Sequence, residues 1–216
     1  MSDQAVQAAS TVPGHGDGPS GPVRTAFLLA GEPALVTGEA LDAAAPRLGE
    51  LGVLAVVVLA APGHTLVHVE SDGTSESSAV RDGVLGAVLQ DGVPASAETF
   101  GEIFAWERPA GEDDVAVAIM LRLKAGAAAD YRAWLASGVV DTLQQIWARC
   151  DIGRHDVLQA GDSVVGYYSC AGPAAVAAAF ADPAGVAVME QGLGDLLDME
   201  ATAALPTLEE KITWNA

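Results

Sequence analysis

The hydrophobic pattern changes period in the same order twice along the chain. In the C-terminal half, Val115 to Leu123 is a run of β-branched and long apolar residues closed by Lys124-Ala125-Gly126, which predicts a strand. From Ala127 to Arg149, Tyr131, Trp134 or Leu135, Val139, Leu143, Ile146 and Trp147 recur every three or four residues. That spacing predicts an amphipathic helix, with Ser137-Gly138 as the point where it kinks. Ile152 to Gln159 and Ser163 to Cys170 read as strands joined by a hairpin turn at Gly161-Asp162. Pro173 opens a helix through Phe180, Asp182-Pro183 restarts it toward Leu197, and Glu209 to Asn215 is a closing strand.

The N-terminal half repeats strand, helix, strand, strand, helix, strand. Arg24 to Ala30 is a strand, Pro33 to Leu51 a helix, and Val53 to Ala60 with Thr65 to Ser71 a hairpin about Pro62-Gly63. Ser77 to Leu89 is a second helix and Glu102 to Glu107 the closing strand. The halves also echo one another in sequence. Gly101-Glu102-Ile103-Phe104-Ala105-Trp106 matches Glu209 to Trp214, and the stretch from Gly63 to Ser71 matches Gly161 to Ser169, which sets His68 opposite Gly166 and Glu70 opposite Tyr168.

A βαββαβ unit folds as a four-stranded antiparallel sheet with both helices on one face and the other face bare. Two such units packed sheet to sheet cover each other. The expected fold is therefore α+β, a tandem pair of ferredoxin-like units forming an α/β barrel within one chain. Residues 23–108 are the first unit, 109–114 a linker and 115–216 the second, behind a tail at 1–22 whose Ser, Gln, Gly and Pro predict disorder.

Composition narrows the partners. Ten basic against twenty-nine acidic residues give a net charge of −19, the wrong sign for nucleic acid or an anionic membrane surface. No apolar run reaches the ~18 residues of a membrane-spanning helix. The start of the chain lacks a basic segment followed by an apolar block, so the expected location is the cytoplasm. Cys150 and Cys170 match no metal or redox spacing and read as buried reduced thiols. The four histidines show no metal-binding spacing, no Gly-rich phosphate loop opens a helix after a strand, and no nucleophile elbow is present.

The run MLRLKAG, DYRAW, IWARCDIGRHDVLQAGDSVVGYYSCAG, AFADP and EEKITWN, covering most of Met120 to Asn215, resembles the dimeric α/β-barrel superfamily. That group includes antibiotic-biosynthesis monooxygenases, tetracenomycin-type polyketide cyclases, SchA/CurD-like proteins and rhamnose mutarotases. A tandem pair of this length resembles the angucycline ring-opening oxygenases. The resemblance implies a tailoring oxygenase of aromatic-polyketide biosynthesis that oxidises or opens a ring of a polycyclic phenol or quinone with dioxygen. It implies no tightly bound cofactor, and a reduced flavin (FADH2 or FMNH2) supplied by a partner reductase. The mutarotase pattern fits Tyr131 and the GYYSC strand, but Leu135 stands where that family has His, and Val139-Val140-Asp141 replaces its Trp-Pro-Glu.

Several residues can carry such chemistry. His68 shares one side of its strand with His64, Leu66 and Glu70; it is either a satisfied sheet histidine or a partner for a phenol or quinone oxygen. In the triplet Arg154-His155-Asp156, alternation sends His155 to one face and the other two to the opposite face. Whichever face looks into the barrel carries a charged or titratable group, His155 as a catalytic candidate or Arg154 as a substrate-binding one; the alternative is a surface pair of Arg154 and Asp156 beside a half-exposed His155. Tyr167 and Tyr168 point to opposite faces, so one of them faces a cavity, where its hydroxyl can hold a substrate carbonyl; Tyr167 is read as substrate-binding. His155, His68 and Tyr168 are thus the candidate catalytic residues. Tyr131, Trp134 and Trp147 on the long helix are read as substrate-binding or as helix packing. Trp106 and Trp214, at matching ends of the closing strands, are read as lining the barrel mouth or as core. The second half is expected to hold the site. A cyclase/aromatase of the tetracenomycin type is the alternative enzyme, a non-catalytic binder of a hydrophobic intermediate the alternative outside enzymology, and the fused pair leaves room for a further homodimer.

Overall fold

Eight antiparallel strands close into a barrel in the computed structural model, which describes residues 21–31, 33–90, 97–108, 111 and 114–216. The strands are β1 (Val23–Ala30), β2 (Val53–Ala61), β3 (His64–Ser71), β4 (Ala97–Glu107), β5 (Val115–Arg122), β6 (Ile152–Ala160), β7 (Ser163–Cys170) and β8 (Thr207–Asn215). Helices α1 (Gly38–Glu50) and α2 (Ser77–Val88) accompany the first four. The last four carry α3 (Ala128–Trp134), α4 (Val140–Arg149), α5 (Pro173–Ala181) and α6 (Pro183–Val188). Around the wall the order is β1-β3-β2-β8-β5-β7-β6-β4. The first four strands thus run β4-β1-β3-β2 and the last four β8-β5-β7-β6, the same relative order. The β2–β8 and β4–β6 pairings join the two runs.

Alternation along each strand separates three apolar clusters. One draws side chains from all eight strands, including Ala26, Leu59, Leu66, Phe100, Ala118, Leu158, Val165 and Leu208, and is the barrel interior. A second joins the outer faces of β1, β2 and β3 to α1 and α2 through Phe27, Leu41, Leu48, Val56, Val67 and Val84. The third joins the outer faces of β5, β6 and β7 to the later helices through Val117, Tyr131, Ile146, Trp147, Val157 and Tyr168. Each Leu or Phe so buried stabilises the fold by roughly 1.5–3 kcal/mol.

Elements depart from their expected bounds where the chain finds a partner outside its own segment. α1 starts at Gly38 instead of Pro33, because Leu35 forms a β-bridge with Leu89 and Val36 N–H donates to the Val88 carbonyl. β4 begins at Ala97, since Ala97 to Gly101 pair with β1. The long helix breaks as expected at Gly138, which has φ 88°. The helix restarted at Asp182, whose carboxylate accepts from Ala184 N–H, is interrupted over 189–193 before Leu197. Both cysteines are free, Cys170 buried and Cys150 half-buried. The tail at 1–20 and linker residues 109, 110, 112 and 113 lie outside the described residues.

The hairpins correct the expected echo by one residue. Ala61 pairs with His64 and Ala160 with Ser163, so His68 corresponds to Tyr167, Val67 to Gly166 and Val69 to Tyr168. Gly63 and Gly161 occupy different places in their turns, which is why matching them shifts the register, and a one-residue shift exchanges the faces of a strand.

Candidate functional site

Gly166 and Tyr168 on β7, with His155 and Val157 on β6, face outward beneath α3, α4 and α6. They floor a partly enclosed cavity of about 60 Å³. Its walls and roof are Ile119, Leu121 and Val164 from the sheet, Tyr131, Trp134, Leu143 and Trp147 from α3 and α4, and Phe180, Val188, Met189 and Leu193 beyond. Both helix interruptions border it, through Leu135 on one side and Met189 and Leu193 on the other. Trp134 lies at the roof, with Gly192 so close that a Cβ there would stand 2.8 Å from its ring.

The polar atoms of this cavity are few and neutral. The His155 ring stacks on Tyr168 at 4.3 Å and meets the Trp147 ring edge to face at 4.3 Å. A Cβ built on Gly166 would lie 3.0 Å from the Tyr168 hydroxyl and 3.3 Å from His155 Nε2. Both groups therefore converge on the space that this glycine leaves open. Burial pushes His155 down to about 3, against which Asp156 acts weakly, so its ring is neutral near pH 7. Burial raises the Tyr131 phenol, and burial together with Tyr131 raises that of Tyr168, so both remain protonated. His155 Nδ1 and Trp106 Nε1 are buried without a hydrogen-bond partner.

A second polar group fills one end of the barrel interior. Asp156, fully buried, accepts from Arg154 Nε at 2.8 Å and Nη2 at 2.5 Å, and lies 3.3 Å from His68 Nε2 and 3.7 Å from Arg24 Nε. Arg154 also pairs with Glu70, while Arg24 reaches Glu107 at 2.9 Å and Glu102 at 3.4 Å. His68 and Tyr167 stack at 4.1 Å, and the Arg154 guanidinium lies over the Tyr167 ring at 5.3 Å. Burial works to raise Asp156, yet the contacts from His68 and Arg154 hold it below the usual carboxylate range; burial lowers His68. Each ion here has counter-ions at hand, so this group ties strands from both halves together.

The structure thus divides the expected site residues. His155, Tyr168, Tyr131, Trp134 and Trp147 line the outer cavity. Trp106, opposite His155 across β4–β6, packs on Trp147 at 5.5 Å and backs that residue from the first half without lining the cavity itself. Trp214 packs in the cluster under α1 and α2, and neither tryptophan stands at a barrel mouth. His68, Arg154 and Tyr167 belong to the interior group, and Arg154 with Asp156 is a buried pair instead of a surface one. Sequence reasoning passed over Gly166 and Met189. A glycine in the middle of an apolar strand was a usable signal for the first, since such a residue marks close approach or space held open. In the first half, valines stand at the matching positions: Val56 for His155, Val67 for Gly166 and Val69 for Tyr168.

No protein-family model and no curated protein matches the chain. Solved structures share its fold. A candidate monooxygenase from Fusobacterium nucleatum superposes with a TM-score of 0.57 at 8% identity, over 90% of this chain and 94% of that one. A second candidate monooxygenase, from Lactobacillus acidophilus, gives 0.54 at 8% identity over 91% and 97%. A major regulator of staphylococcal pathogenesis gives 0.50 at 12% identity over 86% and 97%. At such identities the likeness concerns architecture alone. Among the described residues no cluster of His, Cys, Asp or Glu is placed to hold a metal ion, and no helix is long and apolar enough to cross a membrane.

Proposed function

We propose that the protein is an oxygenase that oxidises or opens a ring of a polycyclic phenol or hydroquinone of the angucycline type, at the cavity of its second half. The chain is read as a fused pair of ferredoxin-like units in which that half keeps the site. The observation that carries this reading is the convergence of His155 Nε2 and the Tyr168 hydroxyl over Gly166, in a lining that is otherwise aromatic and aliphatic. A neutral imidazole accepts the hydrogen bond of a phenol, and a neutral tyrosine donates to a ring carbonyl; together they orient one edge of a flat substrate. The apolar walls exclude water from the oxidised ring.

Electrons come from the substrate itself, which must therefore enter at the phenol or hydroquinone level and not as the quinone. When an anthrone-type CH2 becomes a carbonyl, the carbon loses two hydrogens and gains one oxygen atom, the other oxygen leaves as water, and the substrate supplies all four electrons. His155 holds the phenolic proton in place while the ring is oxidised. A reduced flavin from a partner reductase does not fit this lining, which offers its phosphate no basic side chain. About 60 Å³ of open space is roughly the share of two waters in the liquid, so a polycycle enters only as the roof at Trp134 and Met189 moves aside.

Oxygen uptake with anthrone, which enolises to a phenol, tests the proposal. Uptake that depends on His155 is expected, and none, with or without reduced flavin, overturns it. Conversion of a polyketide substrate under strict anaerobiosis points to the cyclase instead, and binding without turnover to a carrier.

A further inference from the structure

The outer cavity carries no ionised side chain in its lining. Among the described residues its lining is aliphatic and aromatic apart from Tyr131, Tyr168, His155 and Gly166, with no Arg, Lys, Asp or Glu. The cations on the surrounding elements are engaged elsewhere. Arg132 of α3 donates to Gln159 at 2.6 Å, and Arg149 of α4 to Asp182 at 2.9 Å. Arg122 donates to Ser163 at 2.5 Å, and Lys124 to the Asp195 carbonyl at 2.6 Å. Asp156, one residue from His155, points to the other side of β6 into its own ion pairs. An ionised group brought into the cavity would shed its water and find no counter-ion, a cost that a neutral phenol or carbonyl avoids.

We propose that the cavity binds a hydroxyaromatic in its neutral form and rejects the same skeleton bearing a carboxylate, sulfate or phosphate. The step that supplies its substrate is therefore one that removes or masks an acid group, such as a decarboxylation. This inference rests on reading the cavity as the substrate site, but it concerns binding and does not require turnover. Burial of His155 works in the same direction. Its ring resists protonation and so provides no cation for an anionic guest, and the phenol enters with its proton.

Three probes of matched shape test it on the full chain: 1-naphthol, 1-hydroxy-2-naphthoic acid and the methyl ester of that acid. Binding at pH 7.5 is followed through the fluorescence of Trp134 and Trp147 at the cavity wall, with Gly166→Ala as the blocked control. The naphthol and the ester are expected to bind about 30-fold or more tighter than the acid, given the cost of burying an unpaired ion. Equal binding of acid and ester, abolished in Gly166→Ala, overturns this inference while leaving the cavity as the site. Failure of both neutral probes to bind overturns the site reading and this inference with it.

Discussion

The rings of His155 and Tyr168 lie 4.3 Å apart and within 5° of parallel, side by side on neighbouring strands of the second half. Their register is the reason. His155 pairs with Tyr168 across β6–β7, and both face the helices, so stacking brings the Nε2 atom and the hydroxyl to the same patch of space above Gly166. Replacing the imidazole by a phenyl ring keeps the stack and removes the acceptor. His155→Phe is therefore expected to lower anthrone oxidation by about 100-fold, the scale of a lost proton-handling group. Its melting temperature should stay within a few degrees of the parent, because Nδ1 makes no hydrogen bond that would be lost. Steady-state oxygen uptake alongside thermal unfolding separates the two effects.

A methyl group at position 166 tests the same space from below. In Gly166→Ala the new Cβ stands 3.0 Å from the Tyr168 hydroxyl and 3.3 Å from His155 Nε2, closer than most carbon contacts. The backbone is ordinary strand, so the change adds no conformational strain and even suits the sheet. Aromatic binding should fall at least about 10-fold, the loss expected when a polar site cannot be reached, with melting temperature within a few degrees of the parent as the Tyr168 and His155 rings give way by a few tenths of an ångström. Ligand titration by fluorescence and a thermal melt decide it.

Much of this arrangement was legible from the order of residues, and the gaps have physical causes. Period-2 runs predicted the strands, and alternation alone placed His155 opposite Arg154 and Asp156. The break at Gly138 was marked by Ser137-Gly138. Matching Gly63 to Gly161, however, put Tyr168 beside Glu70, when the pairing in the two turns sets it beside Val69; turn geometry, which the letters do not encode, decides the register. Trp106 and Trp214 were rightly matched to each other, yet each packs under the helices of the opposite half because the ends of β4 and β8 that carry them pair with β6 and β2. The contacts of Arg24 with Glu70, Glu102 and Asp156 span most of the chain, and no local pattern announces them.

Acid should expose the burial of His155. Its ordinary value is near 6.5 in an unfolded chain and about 3 in the fold, so between these values the unfolded state holds the extra proton. Stability from this group is complete above about pH 6.5 and is lost as the pH falls toward 3. From pH 6.5 to 4.5 the loss from His155 alone is about 2–3 kcal/mol. His68, also lowered by burial, adds in the same sense, while Glu102, raised mainly by burial, opposes it. Denaturant unfolding at a series of pH values should show a shallower decline for His155→Phe than for the parent; parallel curves would contradict a neutral, buried ring.

The interior ion group calls for the opposite behaviour from the cavity. Asp156 is the carboxylate on which Arg154 and His68 converge, and Arg24 lies near it, so removing its charge leaves the Arg154 guanidinium buried beside Glu70 alone. Asp156→Asn keeps the shape and removes the charge. Breaking a buried pair of this kind costs about 3–5 kcal/mol, which in a chain of this size corresponds to a fall of roughly 10 °C in melting temperature. The aromatic cavity lies on the far face of β6, with His155 between. At temperatures where Asp156→Asn stays folded, naphthol should bind within about threefold of the parent, since Asp156 points into the barrel, its ion-pair partners line no part of the cavity, and its effect on the neighbouring His155 is weak. A melt combined with a fluorescence titration at low temperature reads both quantities from one preparation. A fall in binding that matches the fall in stability would mean that the interior group and the cavity are one site.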